Sequence, residues 1–522
     1  MTCPPDAPEA APPVPGPADA TAATATGAAM ERRAVRRAGL YALAFGSGFA
    51  VMTLEMAGAR LMAPTFGLSA VPWTAVIGVI LTALAVGNHL GGRLADGGRV
   101  PLAWILAAAG VFAVLPVIGV AVPPAAMDAV GFVPGAVLAA AMLFAPPVLA
   151  LGTAVPYLVR ADTEGLEQVG RSAGDVGAAA TAGSIAGTFL TGFVLLPLFP
   201  LPVLLGLTAA LLFLLALLAR AVLEGGGPPA DVLLVAALAA GLLGPALRGG
   251  GPGLLHSEQS LYAAVEVTER DWGGGRLVRE MWQNGGSSSA EYVDTGDPAH
   301  RYAIASELLL EPRAESLDRV LVLGGAALTL PVALKRRLPV LTVDVVELDP
   351  AVTRLAREYF AFGRGEWPGL EVHHADARRF LAESDATWDL VYVDVFDHLL
   401  SVPWTIVTRE AVRDMDARLA PGGLVMINVL SPLAGPGVAF LERFLATLEA
   451  VFPAVRAYPV VLGDDPGAVR NVLVVAARSE ADLPNVDWPR APVAAHGPVL
   501  TDAWAPVEAL QARLFLQEIR WQ

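Results

Sequence analysis

Glycines and carboxylates close or shortly follow four apolar segments in the second half of the chain. The segments are RVLVL, VDVVE, LEVHH and LVYV. Glycine lets backbone amides approach a ligand closely, and an acidic side chain can accept hydrogen bonds from both hydroxyls of a ribose. The residues concerned, in chain order, are Gly324, Gly325, Glu347, Asp376, Asp394 and Asp397.

The order and spacing of these residues predict a nucleoside site. Gly324 and Gly325 would bring backbone amides at a helix N-terminus close to the ligand. Glu347 is placed to bind the ribose and Asp376 to meet the adenine amino group. The alternative is that each carboxylate is an ordinary helix cap or a solvated group, because Asp is favoured at such positions. Asp349 in ELDP is predicted to cap the helix that follows it.

Strands that alternate with helices would position these residues. From RVLVLGG onward the pattern predicts a parallel, doubly wound α/β sheet, which is a Rossmann-like arrangement. Ligands in such sheets bind outside the carboxyl ends of the strands. The preceding segments LYAAVEV, RLVREMWQ and AEYVD are short and alternating. They predict a small antiparallel β-subdomain.

The first half of the chain is far more apolar. Of 522 residues, 55% are hydrophobic and 16% are charged, and the long apolar stretches lie between Leu40 and Leu247. A membrane-spanning helix needs about 20 apolar residues. We therefore predict an α-helical transmembrane bundle of about seven spans, the last of them short enough to lie re-entrant or on the surface. The candidates are 38–62, 72–94, 101–122, 134–158, 174–198, 201–222 and 232–247.

These patterns divide the chain into five parts. The start of the chain lacks large apolar side chains and is predicted to be a disordered arm. A Gly- and Pro-rich stretch at 248–254 separates the bundle from the second half. The predicted parts are the arm (1–37), the transmembrane helical domain (38–250), the β-subdomain (255–300), the Rossmann-like domain (301–480) and a C-terminal tail (481–522).

Arginines between the predicted spans indicate an orientation. They precede the first span and lie in alternate loops, whereas loops 63–71, 123–133 and 199–200 contain no Lys or Arg. Positive residues stay on the cytoplasmic side, so the N-terminus is predicted to be cytoplasmic. Seven crossings would then leave the second half outside, where its ligand has no obvious supply. We favour a cytoplasmic second half, and the alternative stays open.

A few polar residues lie inside the predicted spans. Glu55 and Arg60 belong to the first span, and His89 and Arg93 close the second. Ionisable groups at membrane depth usually face the protein interior and pair with one another. They could form a polar cavity for a substrate or proton, or a structural pair of Glu55 with Arg60 or Arg93.

The ordered motifs RVLVLGG, VDVVELDPAVTRLAREYF, HADARRFL, WDLVYVDVFD and LAPGGLVMINVL resemble the spermidine synthase family of polyamine aminopropyltransferases. The segments GFAVMTLEMAGARLMAPTFGLSA and GNHLGGRLAD resemble the membrane part of bacterial proteins in which a transporter-like helical domain is fused to a spermidine synthase-like domain. Together the resemblance covers nearly all of residues 38–480. It implies a small N-terminal antiparallel β-subdomain followed by an α/β Rossmann-like, S-adenosylmethionine-type methyltransferase fold. It also implies decarboxylated S-adenosylmethionine as donor, a polyamine as acceptor and methylthioadenosine as by-product.

The chain departs from the family pattern in three places. The glycine-rich loop of the family continues GGGDGG, with its Asp gripping the aminopropyl end of the donor, but here GGAALT puts Ala327 at that position. The family's Tyr-His pair corresponds to Arg301-Tyr302, and its usual Gln falls in 286–289, where there is none. Each change removes a polar contact, so we expect an altered donor or acceptor.

The leading hypothesis is a membrane-bound transferase in which Asp394 is the general base and amine anchor, with Asp397 and Tyr302 beside it. Two nearby carboxylates can hold a cationic amine and accept its proton. Alternatives are a transporter-like protein whose second half senses a sulfonium nucleoside or polyamine, and an S-adenosylmethionine-dependent methyltransferase.

The expected partners are a small-molecule amine and membrane lipid, and a homo-oligomer is left open. The net charge of −15 argues against nucleic acid, whose phosphates bind basic surfaces. One cysteine, Cys3, excludes intrachain disulfides and a cysteine-based metal site, and no metal is predicted.

Overall fold

Helices fill the first half of the protein, and two β-sheets with their helices form the second. The structure is a computed structural model of the chain, and it describes residues 17–67, 70–98, 100–163, 165–223, 230–247, 253–395 and 402–516. We call residues 17–247 the helical half and residues 253–516 the α/β half.

The described residues of the helical half form helices that follow the apolar stretches of the sequence. They are α1 (Pro17–Phe66), α2 (Ala70–Gly97), α3 (Leu102–Phe112), α4 (Leu115–Ile118), α5 (Val122–Val130), α6 (Phe132–Gly152), α7 (Ala154–Asp162), α8 (Val169–Leu190), α9 (Leu196–Leu198), α10 (Leu201–Leu223) and α11 (Ala230–Leu247). A turn of π-helix joins α8 to α9.

Among the described residues of this half, five helical segments are long and apolar enough to cross a membrane. A sixth is reached if the pair Leu102–Ile118 and Val122–Val130, which meet at 72°, counts as one span. The predicted number of seven is therefore not confirmed. The difference lies in the third candidate, which is bent, and in the seventh, whose apolar helix Ala230–Gly241 is short.

Helix α1 begins at Pro17, inside the segment predicted to be a disordered arm. The prediction considered only the lack of large apolar side chains in residues 1–37. It neglected the high content of Ala, which has the most favourable helix propensity of all residues. The arm is thus corrected for residues 17–37, and residues 1–16 lie outside the described part of the chain.

Helices α1 and α8 touch along their backbones. A Cβ at Gly183 would lie 1.9 Å from the carbonyl oxygen of Phe45, and one at Gly187 would lie 2.7 Å from that of Phe49. The two glycines, four positions apart, leave room for this approach, as in small-residue interfaces between membrane helices.

Three ion pairs join helices at one end of the bundle. They are Arg37–Asp162, Arg160–Asp96 and Arg220–Asp231, with nitrogen–oxygen distances of 2.9, 2.7 and 2.7 Å. They gather the segment of α1 around Arg37, the ends of α2 and α7, and the connection from α10 to α11. We call this the arginine end. At the opposite end, which we call the far end, the rings of Phe66 and Phe132 lie 5.5 Å apart between their centroids.

The α/β half begins with a small sheet. Its four strands are antiparallel and follow the chain in the order β1-β2-β3-β4. They are β1 (Leu254–Gln259), β2 (Ala264–Asp271), β3 (Leu277–Gln283) and β4 (Gly286–Tyr292).

A seven-stranded sheet with helices follows. Its strands are β5 (Arg319–Leu323), β6 (Thr342–Glu347), β7 (Leu370–His374), β8 (Trp388–Val393), β9 (Leu419–Ser431), β10 (Ala454–Pro459) and β11 (Arg470–Ala477). Its helices, with one in the tail, are α12 (Arg301–Leu310), α13 (Thr329–Arg337), α14 (Pro350–Tyr359), α15 (Ala377–Glu383), α16 (Arg409–Ala417), α17 (Ala439–Glu449) and α18 (Val507–Gln511).

The strand order of the large sheet is β10-β11-β9-β8-β5-β6-β7, with β5 to β9 parallel and β11 antiparallel to both of its neighbours. The chain winds outward from β5 to β7 and then returns to β8 on the other side of β5. This reversal creates a crevice between the ends of β5 and β8, where doubly wound sheets bind ligands. The predicted Rossmann-like fold is confirmed.

The α/β half rests on the far end of the bundle. Arg60, in the last turns of α1, donates to the carbonyl oxygen of Leu261 at 2.8 Å. The amide of Ala70, at the start of α2, donates to the carboxylate of Glu508 at 2.9 Å. The sequence analysis favoured a cytoplasmic N-terminus together with a cytoplasmic second half. The structure places the α1 segment around Arg37 and the α/β half at opposite ends of the bundle, because α11 leads the chain away from the arginine end.

Candidate functional site

A cavity of about 370 Å³ lies at the carboxyl ends of β5, β6, β7 and β8, between the large sheet and the small one. Small-molecule pockets typically have volumes of about 300–1,000 Å³. The structure brings together all the predicted site residues that it describes. Those lining the cavity are Gly324, Gly325, Glu347, Asp376, Asp394 and Tyr302. Asp397 lies outside the described residues.

The loop after β5 turns sharply beneath the cavity. Gly324 has φ +90°, and a Cβ there would lie 2.4 Å from the carbonyl oxygen of Asp394. Ala326 and Leu328 also have positive φ angles, 43° and 61°. The resemblance puts glycines at both positions, so the backbone keeps a glycine-type turn although its side chains have changed. Such a conformation costs an L-residue about 1–2 kcal/mol.

Glu347 ties this loop to β6. One carboxylate oxygen accepts hydrogen bonds from the amides of Gly325 and Ala326, both at 3.0 Å, and the other accepts from the amide of Asp349 at 3.0 Å. Burial raises the pKa of Glu347, and these three hydrogen bonds oppose that effect. Each carboxylate oxygen has two lone pairs, so one lone pair, on the oxygen that accepts from Asp349, remains for a ligand in the cavity.

Asp349 and Asp376 each cap a helix and also line the cavity. Asp349 accepts a hydrogen bond from the amide of Ala351 at the start of α14, and Asp376 accepts one from the amide of Arg379 in α15, both at 2.9 Å. The capping of α14 by Asp349 is confirmed. Asp376 is therefore a helix cap, which was the alternative to a binding role in the sequence analysis. It also lines the cavity, where a ligand could contact it. Its contact with adenine stays a prediction.

Asp394 directly follows β8 at the crevice. Its amide donates to the carbonyl oxygen of Leu323 at 2.9 Å, and its carboxylate accepts from the side-chain amide of Asn428 at 2.9 Å. Asn428 in turn accepts from Asn471 at 3.0 Å. Loss of hydration raises the pKa of Asp394 to about 6, while hydrogen bonds from Asn428 and Tyr302 oppose the rise. A carboxylate with this pKa is suited to accept a proton near neutral pH.

Tyr302, on the first turn of α12, stands beside Asp394. Its hydroxyl lies 3.3 Å from the carbonyl oxygen of Ser288 and within hydrogen-bonding reach of Asp394. Burial, followed by the negative charge of Asp394, raises the pKa of Tyr302 well above its usual value of 10. The phenol therefore stays neutral and acts as a hydrogen-bond donor.

His300 lines the cavity next to Tyr302. Its Nε2 lies 3.0 Å from the Ser287 hydroxyl, and its ring meets that of Tyr302 edge-on, 5.6 Å between centroids. Burial lowers the pKa of His300 to about 4, so the imidazole is neutral at pH 7. The sequence analysis placed the Tyr-His counterpart at Arg301-Tyr302. In the structure Arg301 is exposed and the imidazole in the cavity comes from His300.

Ala327, at the position of the family's Asp, is buried in the core with 1% of its surface exposed. Its amide donates to the Ser289 hydroxyl at 3.2 Å. The loop thus contributes no carboxylate to the cavity. In place of the usual Gln, the stretch 286–289 supplies three serine side chains to the cavity wall.

The cavity lining is more acidic than basic. Its acidic residues are Glu347, Asp349, Asp376 and Asp394. Among the described lining residues the one arginine is Arg378, whose guanidinium pairs with Asp414 at 3.1 Å and Asp502 at 3.3 Å. Because His300 is neutral, the electrostatic field in the cavity favours a cationic ligand.

A group outside this cavity has the composition of a metal site. Ligand atoms of Asp344, Glu371 and His373 lie within 4.8 Å of one another. Asp344 already accepts hydrogen bonds from Trp388 at 2.7 Å and Arg319 at 2.9 Å, so its charge is balanced by protein groups. The expectation that the site uses no metal stays a prediction.

The structure does not pair Glu55 with Arg60, two of the polar residues inside the predicted spans. Arg60 lies five positions after Glu55, about 140° around the helix at 3.6 residues per turn, and it contacts the α/β half. His89 is exposed on α2. The pair of Glu55 with Arg60 is thus wrong, and a transport site at Glu55 stays a prediction.

Two site residues that the sequence analysis missed are Asn428 and Asn471, which lie in strands β9 and β11. Both are polar residues within apolar strands, and Asn428 is 4% exposed. Buried polar groups are almost always hydrogen-bonded, so a lone Asn in LVMINVL was the available signal. Its partner Asp394 could not be inferred, since β8 and β9 meet only in the folded sheet.

The sheet order and the cavity at its crevice define a Rossmann-like domain with an acidic ligand pocket. Residues 308–475 match the family described as Spermine/spermidine synthase domain. The C-terminal part of the chain therefore contains a spermine/spermidine synthase domain, and the predicted family is confirmed for that part.

Relatives agree with this assignment. The polyamine aminopropyltransferase of Vibrio vulnificus (strain CMCP6) is 29% identical over 210 residues, which are 38% of this chain and 67% of that protein. The polyamine aminopropyltransferase of Synechococcus sp. (strain JA-2-3B'a(2-13)) is 37% identical over 151 residues, 27% of this chain and 46% of that protein. Both relatives are transferases, the enzyme class that the sequence predicts. The chain matches about half of the second relative's length.

Among solved structures, a probable spermidine synthase from Corynebacterium glutamicum ATCC 13032 is similar to the α/β half. Its TM-score is 0.38 and its sequence identity is 20%, over 52% of this chain and 96% of that chain.

Proposed function

We propose that this chain is a membrane-bound transferase of the aminopropyltransferase type. It would transfer an aminopropyl or closely related group from a sulfonium nucleoside of the decarboxylated S-adenosylmethionine type to an amine. The observation that carries the proposal is Asp394, a carboxyl with a pKa of about 6 at the crevice of an acidic cavity. The membrane attachment rests on the long apolar helices of the helical half.

The nucleoside would lie across the ends of β5 to β7. Glu347 would accept a hydrogen bond from the ribose with its remaining lone pair, and Asp376 would face the adenine. Gly324 and Gly325 leave the space that the nucleoside needs above β5, since a side chain at Gly324 would strike Asp394. The sulfonium centre would then stand near Asp394, at the crevice between β5 and β8.

The chemistry requires a neutral amine, whereas a polyamine nitrogen is protonated in water. Asp394 would hold the ammonium group and take its proton. The nitrogen lone pair then attacks the propyl carbon attached to sulfur, so that a C–N bond forms while the C–S bond breaks. Sulfur keeps the electron pair and leaves as the neutral thioether methylthioadenosine. Tyr302 and Asn428, as hydrogen-bond donors, would orient the carboxylate for this step.

The residues near Ala327, where the family binds the aminopropyl chain of the donor substrate, support a change in donor-substrate specificity. The family's Asp would grip the cationic amine of the donor's propyl chain, and Ala327 offers no such group. The serine hydroxyls of 287–289 are neutral acceptors and bind a cation more weakly than a carboxylate does. We expect weaker selection for the aminopropyl group than in the family, and a donor with a different end is the corresponding proposal.

A product assay tests this function. Detergent-purified full-length protein receives ordinary or decarboxylated S-adenosylmethionine with a panel of diamines and polyamines, and mass spectrometry follows the products. Methylthioadenosine and a lengthened amine, in equal amounts and absent with Asp394→Asn, are the expected result. Wild-type turnover in Asp394→Asn would remove the proposed base.

The buried Ala327 also favours a second candidate, a methyltransferase that uses ordinary S-adenosylmethionine. This donor transfers its methyl group and needs no acidic grip on an aminopropyl chain. The same assay would then yield S-adenosylhomocysteine and a methylated amine. Saturable binding of a donor without either product would favour the transporter-like protein with a sensing α/β half.

A further inference from the structure

The arginines of the helical half are gathered at one end of the bundle. Four of them lie between residues 32 and 37 of α1, and four more are Arg93, Arg160, Arg171 and Arg220, while Arg99 lies outside the described residues. Contacts across the bundle fix their common position: Arg36 donates to the carbonyl oxygen of Ala161 at 3.1 Å, beside the ion pairs that define the arginine end. The far end has Arg60, which is turned to the α/β half, and the sequence adds Arg248 after α11.

The cavity belongs to the far end. Besides the hydrogen bonds of Arg60 and Ala70 to the α/β half, Gly285 lies against α1: a Cβ there would be 2.7 Å from Cβ of Pro64. Leu261 and Gly285 are sequence neighbours of Tyr262 and Asn284, which line the cavity. The α/β half thus contacts the bundle through loops whose neighbouring residues line the cavity.

Helix α11 carries the chain from one end to the other. Its first turn is held at the arginine end by the Asp231–Arg220 ion pair. It has 18 residues, which span about 27 Å at about 1.5 Å per residue. The hydrocarbon core of a bilayer is about 30 Å thick, so this short helix suffices for a crossing with the core slightly thinned.

We propose that the cavity faces the non-cytoplasmic side of the membrane. Lys and Arg in short loops stay in the cytoplasm, which makes the arginine end cytoplasmic and the far end external. The chain then crosses seven times, by α1, α2, α3–α4, α6–α7, α8–α9, α10 and α11. This arrangement agrees with the sequence alternative that seven spans leave the second half outside.

Together with the proposed function, on which this step rests, the location defines the source of the substrates. A sulfonium nucleoside and a polyamine are permanent or nearly permanent cations, and charge is costly in the bilayer core. The acceptor is therefore an amine of the external compartment. The donor must be delivered by a preceding transport step that carries a cationic nucleoside outward.

Cysteine labelling tests the orientation independently of catalysis. In a Cys3→Ala background, one variant carries Val340→Cys in the α/β half and its matched control carries Leu166→Cys between α7 and α8. Both side chains are 94% exposed, so both react equally with a maleimide once detergent has dissolved the membrane. The probe is a membrane-impermeant maleimide added to intact spheroplasts of a bacterial host expressing the full chain.

We expect labelling at position 340 in intact spheroplasts and at position 166 only after permeabilisation. Protection of position 340 in intact spheroplasts, or labelling of position 166 there, would overturn the proposal. An inactive enzyme labelled in the expected pattern would leave the orientation standing and remove the proposed function. An active enzyme labelled in the reverse pattern would leave the proposed function standing and remove the proposed orientation.

Discussion

The two sides of the cavity use buried carboxylates in opposite ways. On the nucleoside side, Glu347 accepts three hydrogen bonds from backbone amides, which favour its ionised form against the rise in pKa that burial causes. On the amine side, the carboxylate of Asp394 accepts from the side-chain amide of Asn428 with Tyr302 nearby, and burial raises its pKa to about 6. Burial alone therefore does not make a base. The number and rigidity of the donors separate a group that binds from one that exchanges a proton.

The largest effect should follow removal of the proton acceptor. Asp394→Asn keeps the shape of the side chain but cannot accept a proton, so turnover should fall by about 100- to 10,000-fold, the usual contribution of a general base. Binding of methylthioadenosine, measured by calorimetry, should change little. The matched control is Asp385→Asn, whose side chain is fully exposed before β8 and which should turn over normally. A loss of nucleoside binding in Asp394→Asn would mean that Asp394 also binds the nucleoside, and the proposed division between a binding and a proton-accepting carboxylate would be wrong.

The complementary change on the nucleoside side is Glu347→Gln. The amide group of Gln cannot accept from all three backbone donors, and hydrogen bonds to a charged group contribute about 1.5–3 kcal/mol each. We expect the affinity for methylthioadenosine to fall by about 10- to 100-fold. The pH at which the remaining activity declines should stay unchanged. Calorimetry and a pH–rate profile measure the two quantities, and a displaced profile would mean that Glu347 also takes part in proton transfer.

The pH dependence distinguishes the two carboxylates further. The base must be ionised, so kcat/KM should fall as the pH drops through about 6, where Asp394 becomes protonated. The hydrogen bond from Asn428 stabilises the ionised form and lowers the pKa. Asn428→Ala should therefore raise the pKa of Asp394, so that kcat/KM begins to fall at a higher pH. If the folded Asn428→Ala variant loses kcat/KM at the same pH as the wild type, a group other than Asp394 controls the reaction.

The smallest expected effect concerns the loop between the two sides. Ala326 has φ +43°, where glycine is free of the Cβ penalty. Ala326→Gly should raise the free energy of unfolding by up to about 1 kcal/mol, since a relief of about 1–2 kcal/mol is offset by the greater freedom of glycine in the unfolded chain. Thermal unfolding measures it. In the control Ala382→Gly, in the exposed face of α15, the same change should destabilise by about 0.5–1 kcal/mol.

Much of the α/β half could be predicted because its signals are local. Apolar strands alternating with helices predict the sheet, and the positions of Gly324, Glu347 and Asp376 follow from where each strand ends. The roles of His300 and Asn428 could not be predicted in this way. Their partners are Ser287 in β4 and Asp394 directly after β8, and only the folded domain brings each pair within hydrogen-bonding distance.

In the helical half, the sequence by itself determined the apolar segments and the asymmetric distribution of arginines, since both depend on composition alone. The tertiary structure decided which end of the bundle carries the cavity, through contacts such as that of Arg60 with Leu261, 201 positions apart. It likewise decided the chemistry of Asp394. The identity of a carboxylate is written in the chain, but its pKa is set by the water it loses and the donors it gains on folding.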